Sequence, residues 1–373
     1  MKRVCIAGLG VDIPGAVITN EELVACFNQW VEVENRRRSA SGEPPLQPSS
    51  AAFIERASGI RRRHVHTVDG ILDPERMAPR IAERDENSLS VLAEFGVSAA
   101  RRAIADAGAD PAGIDLVICA SSHLERLFPA IAIEIQQEIG ASGAAFDLSL
   151  GCSSAAAGVH AAFHLLRSGA HRRALVVTPE LITAHLDFRD RQSHFIFGDA
   201  AVAVLVEALE DDEQRHGRFE IVDTASWTRF SNNIRTSFSY LNRAAAENPD
   251  VISTEGRLIR QQGNRVFKEV TVASHQFILD FLAAHGRTPE TIRRFWLHQA
   301  NLRMNQMILR LAFGRDIGED IAPTVLAEYG NTAAAGAVIA LAENHRDLAA
   351  GDWGLLCTYG AGYSIGGVLL RMM

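Results

Sequence analysis

The stretches GCSSAAAG at residues 151–158 and GNTAAAG at residues 330–336 decide the fold, because each introduces a helix of small apolar residues. An apolar strand follows both helices: Ala174 lies 22 residues after position 152, and Gly354 lies 23 residues after position 331. Similar composition at matching spacing indicates an internal duplication, although chance similarity between alanine-rich helices is the alternative. The sequence therefore predicts two halves on one plan, residues 1–208 and 209–373.

Outward from these stretches, strands and helices alternate along the first half. Apolar runs predict strands at residues 4–8, 114–120, 174–177 and 200–206, and helical periodicity predicts helices at 88–107 and 152–167. This alternation is typical of layered α/β folds. The polar, Pro-rich residues 36–50 read as a loop or frayed insertion, and residues 230–263 as an irregular insertion.

Composition excludes several classes of protein. The 373 residues are 47% apolar and 22% charged, which is ordinary globular usage and excludes wholesale disorder. No apolar run reaches the roughly 18–20 residues that span a bilayer, so we expect no membrane segment. Residues 1–15 read as a first strand and not as a signal peptide. A net charge of −8 argues against a nucleic-acid partner. We expect a soluble, cytoplasmic protein.

The cysteines suggest one nucleophile and no metal site. Their number, five, is odd and their spacing fits neither a disulfide framework nor a metal cluster, so we expect no metal and no cofactor. Four lie in apolar runs as small buried residues: Cys5, Cys26, Cys119 and Cys357. Cys152 instead follows an apolar stretch and begins a helix, where the helix dipole lowers a thiol pKa and free amides can receive an oxyanion.

His298 and Asn331 are candidate partners of Cys152. His298 ends an apolar run at residues 295–297, where α/β folds place catalytic groups, although a structural histidine is the ordinary alternative. Asn331 sits in a turn before a helix, where capping would also explain it. Both can donate to a carbonyl oxygen. Residues 360–362, Gly-Ala-Gly, are small enough to bring backbone amides close to a thioester.

Two other motif interpretations are weaker. Gly8-Leu9-Gly10 opens like a dinucleotide-binding loop, but Pro14 and Gly15 stand where its helix should begin. The order Cys, His, Asn also fits papain-like hydrolases. Against that family, the cysteine lies in mid-chain in a Gly-Cys-Ser-Ser context, and a secreted hydrolase would bring a signal peptide.

The motifs together resemble the β-ketoacyl-acyl-carrier-protein (ACP) synthase III family of the thiolase superfamily. Those that carry the resemblance are SGIR at 58–61, FD at 146–147 before GCS at 151–153, FGD at 197–199, HQANLR at 298–303, YGNT at 329–332 and GAG at 360–362. They cover nearly the whole chain. Residues 71–79 and 193–197 further resemble a branch that elongates medium-chain acyl-CoA.

The resemblance implies a five-layered αβαβα fold in two duplicated halves, working as a homodimer without a cofactor. It implies that Cys152 takes an acyl group from acyl-CoA, with the amides of Cys152 and Ala361 as the oxyanion hole. Malonyl-ACP then binds and loses carbon dioxide, and His298 and Asn331 stabilise the resulting enolate, which attacks the acyl-cysteine.

The resemblance also implies substrate-binding residues. Phe128 matches a residue that lines the partner subunit's acyl pocket, and Arg303 matches a basic residue at the mouth of the pantetheine tunnel. Three positions of the usual CoA clamp differ: Phe53 replaces a tryptophan, and alanines replace arginines at Ala57 and Ala184. Three other arginines are candidates to replace the clamp: Arg56, Arg61 and Arg62. Otherwise an acyl carrier is the donor.

Three alternatives keep the fold but change the activity. The first is an acyltransferase that moves the acyl group from Cys152 to an oxygen or nitrogen of a secondary metabolite. Retention of both His298 and Asn331 favours condensation over this reaction. A thiolase is disfavoured because Cys357 is not placed as a second catalytic cysteine, and an inactive partner subunit because Cys152 is present.

Overall fold

The computed structural model describes residues 1–191, 195–210, 213, 215–237 and 258–373. Its strands are β1 (Arg3–Asp12), β2 (Ala16–Thr19), β3 (Arg62–Val65), β4 (Leu116–Ala120), β5 (Ala144–Leu148), β6 (Arg173–Glu180), β7 (Ala200–Leu209), β8 (Phe219–Thr228), β9 (Ile234–Arg235), β10 (Arg260–Gln261), β11 (Arg294–Leu297), β12 (Trp353–Gly360) and β13 (Ser364–Met372). Its helices are α1 (Asn20–Ser41), α2 (Ala51–Ser58), α3 (Val91–Ala107), α4 (Ile131–Ile139), α5 (Ser154–Arg167), α6 (Gly263–Ala284), α7 (Leu302–Phe313), α8 (Leu326–Tyr329) and α9 (Gly336–Glu343).

One mixed sheet of nine strands runs through both halves of the chain, in the order β11-β12-β13-β8-β1-β7-β6-β4-β5. Strand β1 connects the halves because it pairs antiparallel with β7 on one side and with β8 on the other. Strand β4 is parallel to both β5 and β6, as expected of strands joined through helices. Strand β5 ends the sheet on one side and β11 on the other.

Alternating side chains on each strand build the layers. On β4, Leu116 and Ile118 face a core shared with α5 and α9, whereas Val117 and Cys119 face a core shared with α3 and α4. On β12, Leu356 joins the first of these cores, and Leu355 packs with α6 and α7. Period-two alternation puts successive residues on opposite faces of a sheet, so a strand apolar on both faces needs a helical layer on each.

The layers therefore follow in this order: helices α3 and α4, the part of the sheet around β4, helices α5 and α9, the part of the sheet around β12, and helices α6 and α7. This order confirms the predicted αβαβα fold. The helices that follow the two similar stretches, α5 and α9, both lie in the middle layer and share one core. Each leads to a strand of the sheet, β6 and β12 respectively. The predicted boundary after residue 208 falls near the end of β7, and the division of the chain into two halves there stays a prediction.

The predicted elements have close counterparts, with one correction. The predicted helix at residues 88–107 begins at Val91 after the N-cap Ser90, whose hydroxyl accepts the N–H of Ala93. Residues 36–41, predicted as loop or frayed insertion, belong to α1, which ends at Gly42 in a left-handed C-cap. Their arginine, serine and alanine side chains are compatible with a helix, so the loop begins only at the glycine. Of the predicted insertion at 230–263, residues 238–257 lie outside the described part.

The described residues include no membrane-spanning helix, no metal-binding cluster and no disulfide. None of the helices in the described ranges combines the length and the apolar character of a membrane span. Within the same ranges, no group of three or more histidine, cysteine, aspartate and glutamate side chains could hold a metal ion. All five cysteines are described and carry free thiols.

Gly8 and Gly10 bring β1 against α3 and are not part of a nucleotide loop. A Cβ atom added to Gly8 would lie 2.2 Å from the carbonyl oxygen of Ala103, and one added to Gly10 would lie 2.0 Å from that of Ala99. Both obstacles are helix backbone, which a rotamer change cannot move. The two glycines are therefore required by the close packing of strand on helix.

We expect Gly10→Ala to lower the free energy of unfolding by about 3 kcal/mol, because the new methyl group forces β1 and α3 apart. Gly15→Ala is the matched control, since a Cβ there meets nothing within 4 Å. Denaturant unfolding of both variants checks the prediction. Equal stability of the two would contradict the packing explanation.

Candidate active site

One cavity of about 900 Å³ brings the three predicted catalytic residues together: Cys152, His298 and Asn331 all line it. Cys152 precedes α5, His298 follows β11, and Asn331 lies between α8 and α9. Much of the remaining wall is apolar and includes Phe27, Ile54, Phe195, Phe197, Val266 and Val270. A thiol, an imidazole and a carboxamide thus share one apolar compartment formed by both halves of the chain.

Two glycines let the Cys152 turn meet the segment after β12. Gly151 has a φ of +54°, and a Cβ on it would lie 3.1 Å from that of Ala361. A Cβ on Gly360 would lie 2.6 Å from the Cβ of Cys152. Behind the turn, the hydroxyl of Ser154 accepts the N–H of Leu150 at 2.8 Å. The sulfur is thereby fixed against the Gly-Ala-Gly segment.

The pKa of the Cys152 thiol moves in the direction opposite to the predicted one. The backbone N–H groups of Ala361 and of Cys152 itself lower this pKa. Burial outweighs them and, with the nearby charge of Glu180, raises the pKa to about 12. Although the residue keeps some exposure through the cavity, protein desolvates the sulfur, and desolvation disfavours a thiolate. The prediction of a lowered pKa was wrong for this structure.

His298 is a neutral hydrogen-bond donor. Burial lowers its pKa to about 4, so the imidazole is uncharged near neutral pH. Its Nδ1 is buried and has no hydrogen-bond partner among the described residues. A proton on Nδ1 would be a buried donor without an acceptor, which costs free energy. The proton therefore belongs on Nε2, the other nitrogen of a ring that lines the cavity.

Asn331 is held by its backbone, and its side chain is oriented by its neighbour. Its N–H donates to the carbonyl of Ile196 at 2.6 Å, and its carbonyl accepts the N–H of Gly198 at 3.1 Å. Its Oδ1 accepts the N–H of Ala333 at 3.0 Å. Because the amide oxygen is engaged, Nδ2 is the atom left to donate to a substrate. His298 and Asn331 thus both line the cavity as neutral donors, and their action on one substrate oxygen stays a prediction.

The mouth of the cavity carries two pairs of an arginine and an aromatic ring. The guanidinium carbon of Arg189 lies 5.8 Å from the ring centre of Trp30, and that of Arg191 lies 4.8 Å from the ring centre of Phe53. Arg303, the predicted residue at the tunnel mouth, is exposed and lines the same cavity. The entrance therefore offers positive charge and flat apolar surface side by side.

The other predicted substrate-binding residues lie elsewhere. In the described part of the chain, Arg56 is exposed on α2 and does not line the cavity, while Ala184 packs with the core of α3 and α4. Arg61 and Arg62, the other candidates to replace the clamp, pair with Glu55 and Glu328 at 2.7 Å each. Phe128 is 81% exposed on a single chain, outside its own cavity.

Sequence reasoning missed Trp30, Arg189 and Arg191 at the mouth, and Tyr359 and Asn305 behind His298. The two arginines lie a few residues beyond the substituted clamp position, within a charged run at residues 187–191. Because two aspartates balance the two arginines, the run has no net charge and does not indicate a basic entrance. Tyr359 adjoins the Gly-Ala-Gly motif, but no pattern links it to Asn305, which is 54 residues away.

Comparisons with known proteins show the family of the chain. The sequence profile described as 3-oxoacyl-[acyl-carrier-protein] synthase III matches residues 146–224, and that of its C-terminal part matches residues 282–372. The β-ketodecanoyl-[acyl-carrier-protein] synthase of Pseudomonas aeruginosa is 46% identical over 349 residues, covering 92% of this chain and 99% of that protein. A β-ketoacyl-[acyl-carrier-protein] synthase III of Chelativorans sp. is 32% identical and covers both chains completely.

Solved structures agree on the fold. The 3-oxoacyl-(acyl carrier protein) synthase III of Pseudomonas aeruginosa superposes with a TM-score of 0.77 at 24% identity, covering 99% of this chain and 98% of the other. The priming β-ketosynthase of the R1128 polyketide pathway gives 0.78 at 25% identity, covering 100% and 96%. The solved structures show the fold, and the curated relatives, 46% and 32% identical over nearly the whole length of both chains, show that the chain belongs to the 3-oxoacyl-[acyl-carrier-protein] synthase III family.

Proposed function

We propose that this protein is a condensing enzyme that joins an acyl group from acyl-CoA to malonyl-ACP and forms β-ketoacyl-ACP. The observation that carries the proposal is the single apolar cavity in which Cys152, His298 and Asn331 meet. A nucleophile next to two neutral donors suits a reaction that makes an acyl-enzyme and then an enolate.

The first step transfers the acyl group to Cys152. The sulfur attacks the thioester carbonyl, and the amides of Cys152 and Ala361, both of which lower the pKa of the thiol, receive the oxyanion. The C–S bond to CoA then breaks, and the proton lost by Cys152 ends on the CoA thiol. Because the pKa of the free thiol is about 12, this proton has to leave as the substrate arrives.

The second step makes the carbon–carbon bond. Nε2 of His298 and Nδ2 of Asn331 donate to the thioester oxygen of malonyl-ACP, so the electron pair released with carbon dioxide moves onto that oxygen. The enolate carbon attacks the acyl-cysteine carbonyl, and the bond to sulfur breaks. Cys152 leaves as a thiolate and takes up one proton. Neutral donors suit this step, because the buried site would destabilise a permanent cation.

The acyl donor is of medium length. The relative named β-ketodecanoyl-[acyl-carrier-protein] synthase shares 46% of its residues with this chain. Two of the ten carbons in a β-ketodecanoyl product come from malonate, which leaves an eight-carbon donor. The apolar wall formed by residues such as Phe27, Phe195 and Val266 supports the binding of such a chain.

Coenzyme A is the donor's carrier. The two pairs at the mouth, Arg189 with Trp30 and Arg191 with Phe53, combine flat rings with guanidinium groups. Rings stack on a purine, and arginines bind phosphates. These pairs would take the place of the clamp that Ala57 and Ala184 cannot form. The opening is shared with malonyl-ACP, whose pantetheine arm enters by the same route past Arg303.

The active unit is a homodimer in the cytoplasm, where both thioester substrates are made. Strand β5 ends the sheet and is partly exposed along its length. Three exposed apolar side chains lie on it or near it: Leu127, Phe128 and Phe146. An uncovered strand edge beside apolar side chains suits pairing with a second copy. In that arrangement Phe128 would reach the partner subunit's cavity.

The first test is intact-mass spectrometry of protein mixed with octanoyl-CoA. We expect wild-type protein to gain one octanoyl group and Cys152→Ala to gain none, because Cys152 is the attacking group. Cys26→Ala is the control, since that buried cysteine does not line the cavity. Loading of Cys152→Ala to the wild-type level would contradict the assignment of the nucleophile.

The second test separates the two steps. We expect His298→Ala and Asn331→Ala to keep octanoyl loading within about threefold, whereas carbon dioxide release from malonyl-ACP falls by about 100-fold or more. The reason is that both side chains donate to the enolate and neither supplies the oxyanion hole of the first step. Loading by mass and release of labelled carbon dioxide check this. Wild-type protein that loads but releases no carbon dioxide would instead fit an acyltransferase.

The raised pKa of Cys152 predicts how its alkylation depends on pH. We expect the rate of reaction with iodoacetamide to rise about tenfold per pH unit between about pH 7 and 9.5, because the thiolate fraction grows that way below a pKa of about 12. Labelled peptide from Cys152 gives the rate, with Cys152→Ala as background. A rate that levels off below about pH 8 would show that the helix terminus overcomes burial.

A further inference from the structure

Two buried polar side chains beside His298 have no part in the chemistry described above: Tyr359, which also lines the cavity, and Asn305, which does not. Tyr359 is 1% exposed and Asn305 is 7% exposed. Tyr359 lies on β12 and Asn305 on α7, so they approach His298 from two different elements. Buried hydroxyl and carboxamide groups destabilise a fold unless they are hydrogen-bonded. Their partners therefore indicate what they do.

The partners form a chain that ends on the backbone of His298. The hydroxyl of Tyr359 donates to Oδ1 of Asn305. Because the amide oxygen faces the hydroxyl, Nδ2 faces the other way and donates to the carbonyl of His298 at 3.0 Å. The Tyr359 oxygen lies 3.4 Å from the same carbonyl. Tyr359 thus sets the orientation of Asn305, and Asn305 holds the His298 peptide.

Tyr359 also packs on the imidazole itself. The two ring centres are 5.3 Å apart, and the rings are at 85°, an edge-to-face arrangement. No hydrogen bond fixes the ring through Nδ1, which has no partner within the described ranges. The N–H of His298 donates to Cys357, two residues before Tyr359 on the same strand, at 2.8 Å. Backbone and ring are therefore both held from β12.

We propose that Tyr359 and Asn305 are positioning residues that aim Nε2 of His298 at the substrate oxygen. The inference rests on the proposed function, because it assigns His298 to the decarboxylation step. It implies that loss of either side chain slows carbon–carbon bond formation and spares the loading of Cys152, whose oxyanion hole is made of the amides of Cys152 and Ala361. An error of about 1 Å in a donor's position is enough for a large loss of rate.

The experiment uses the single variants Tyr359→Phe and Asn305→Leu and the double variant. Tyr359→Phe leaves Oδ1 of Asn305 without its donor, and Asn305→Leu and the double change leave the His298 carbonyl without Nδ2, so thermal stability is measured for every variant. Tyr363→Phe is the matched control, because Tyr363 is also buried and its hydroxyl accepts the Nδ2 of Asn233 at 2.8 Å, away from His298.

We expect all four proteins to load octanoyl-CoA within about twofold of wild type. Release of carbon dioxide from malonyl-ACP should fall by about tenfold in kcat for Tyr359→Phe and for Asn305→Leu, with KM changed less than about twofold. The double variant should fall no further than the worse single, because both groups act through one carbonyl. Tyr363→Phe should behave as wild type.

A purely structural role would give a different pattern. Under the proposal, carbon dioxide release stays low even at a temperature well below each variant's melting temperature, where all the protein is folded. A rate that falls only in proportion to the loss of folded protein would overturn the proposal. So would a parallel loss of loading and decarboxylation, or unchanged rates in both single variants.

A measurement without catalysis distinguishes this inference from the proposed function. In protein with ¹⁵N-labelled histidine, the His298 ring should show one tautomer, protonated at Nε2, with the signal assigned through His298→Ala. In the double variant we expect the signal to shift towards a mixture of tautomers or to broaden. An unchanged ring would overturn the inference. A changed ring in a protein whose wild type releases no carbon dioxide would uphold it and reject the condensation.

Discussion

The backbone pairing between Asn331 and residues 196–198 holds the two halves of the active site together. The N–H of Asn331 donates to Ile196 and its carbonyl accepts from Gly198, so Asn331 is fixed to the half that carries Cys152. Both sides need glycine: a Cβ on Gly198 would lie 2.6 Å from the carbonyl of Tyr329, and one on Gly330 would lie 2.8 Å from that of Ile196.

The close approach of the two segments buries the site, and burial shifts the pKa values of three groups in and near it. It raises the pKa of the Cys152 thiol to about 12, lowers that of His298 to about 4 and raises that of Glu180 to about 8. These side chains are therefore uncharged near neutral pH, at the place where the proposed reaction puts negative charge on the substrate. An enolate formed there interacts with fixed neutral dipoles and not with water, which strengthens each hydrogen bond to it. The cost is a thiol that is nearly unionised until substrate binds.

The alternation of apolar strands and helices was enough to predict a layered α/β fold, and the resemblance of the motifs to a known family implied the five layers and the candidate residues. Buried strands are apolar on both faces, and Cys152, His298 and Asn331 each lie at the end of an element. The pKa of Cys152 was not predictable, since the helix terminus is local but the desolvation comes from segments far away in sequence. The same holds for Trp30 with Arg189 and for Asn305 with Tyr359, which meet only through tertiary packing.

The segment at residues 42–50 shows why composition misleads about order. It is polar and Pro-rich, but two asparagine side chains of α1 hydrogen-bond to both the N–H and the carbonyl of a loop residue, much as a neighbouring strand would. Asn35 donates to the carbonyl of Leu46 at 3.0 Å and accepts its N–H at 2.7 Å, and Asn28 does the same with Ser49 at 3.0 and 2.9 Å. A loop whose backbone groups are satisfied this way needs no apolar core of its own. Leu46 thereby becomes part of the cavity wall beside Trp30. The long α1 and its loop therefore shape an entrance that lacks the arginines of the usual CoA clamp, which Ala57 and Ala184 replace.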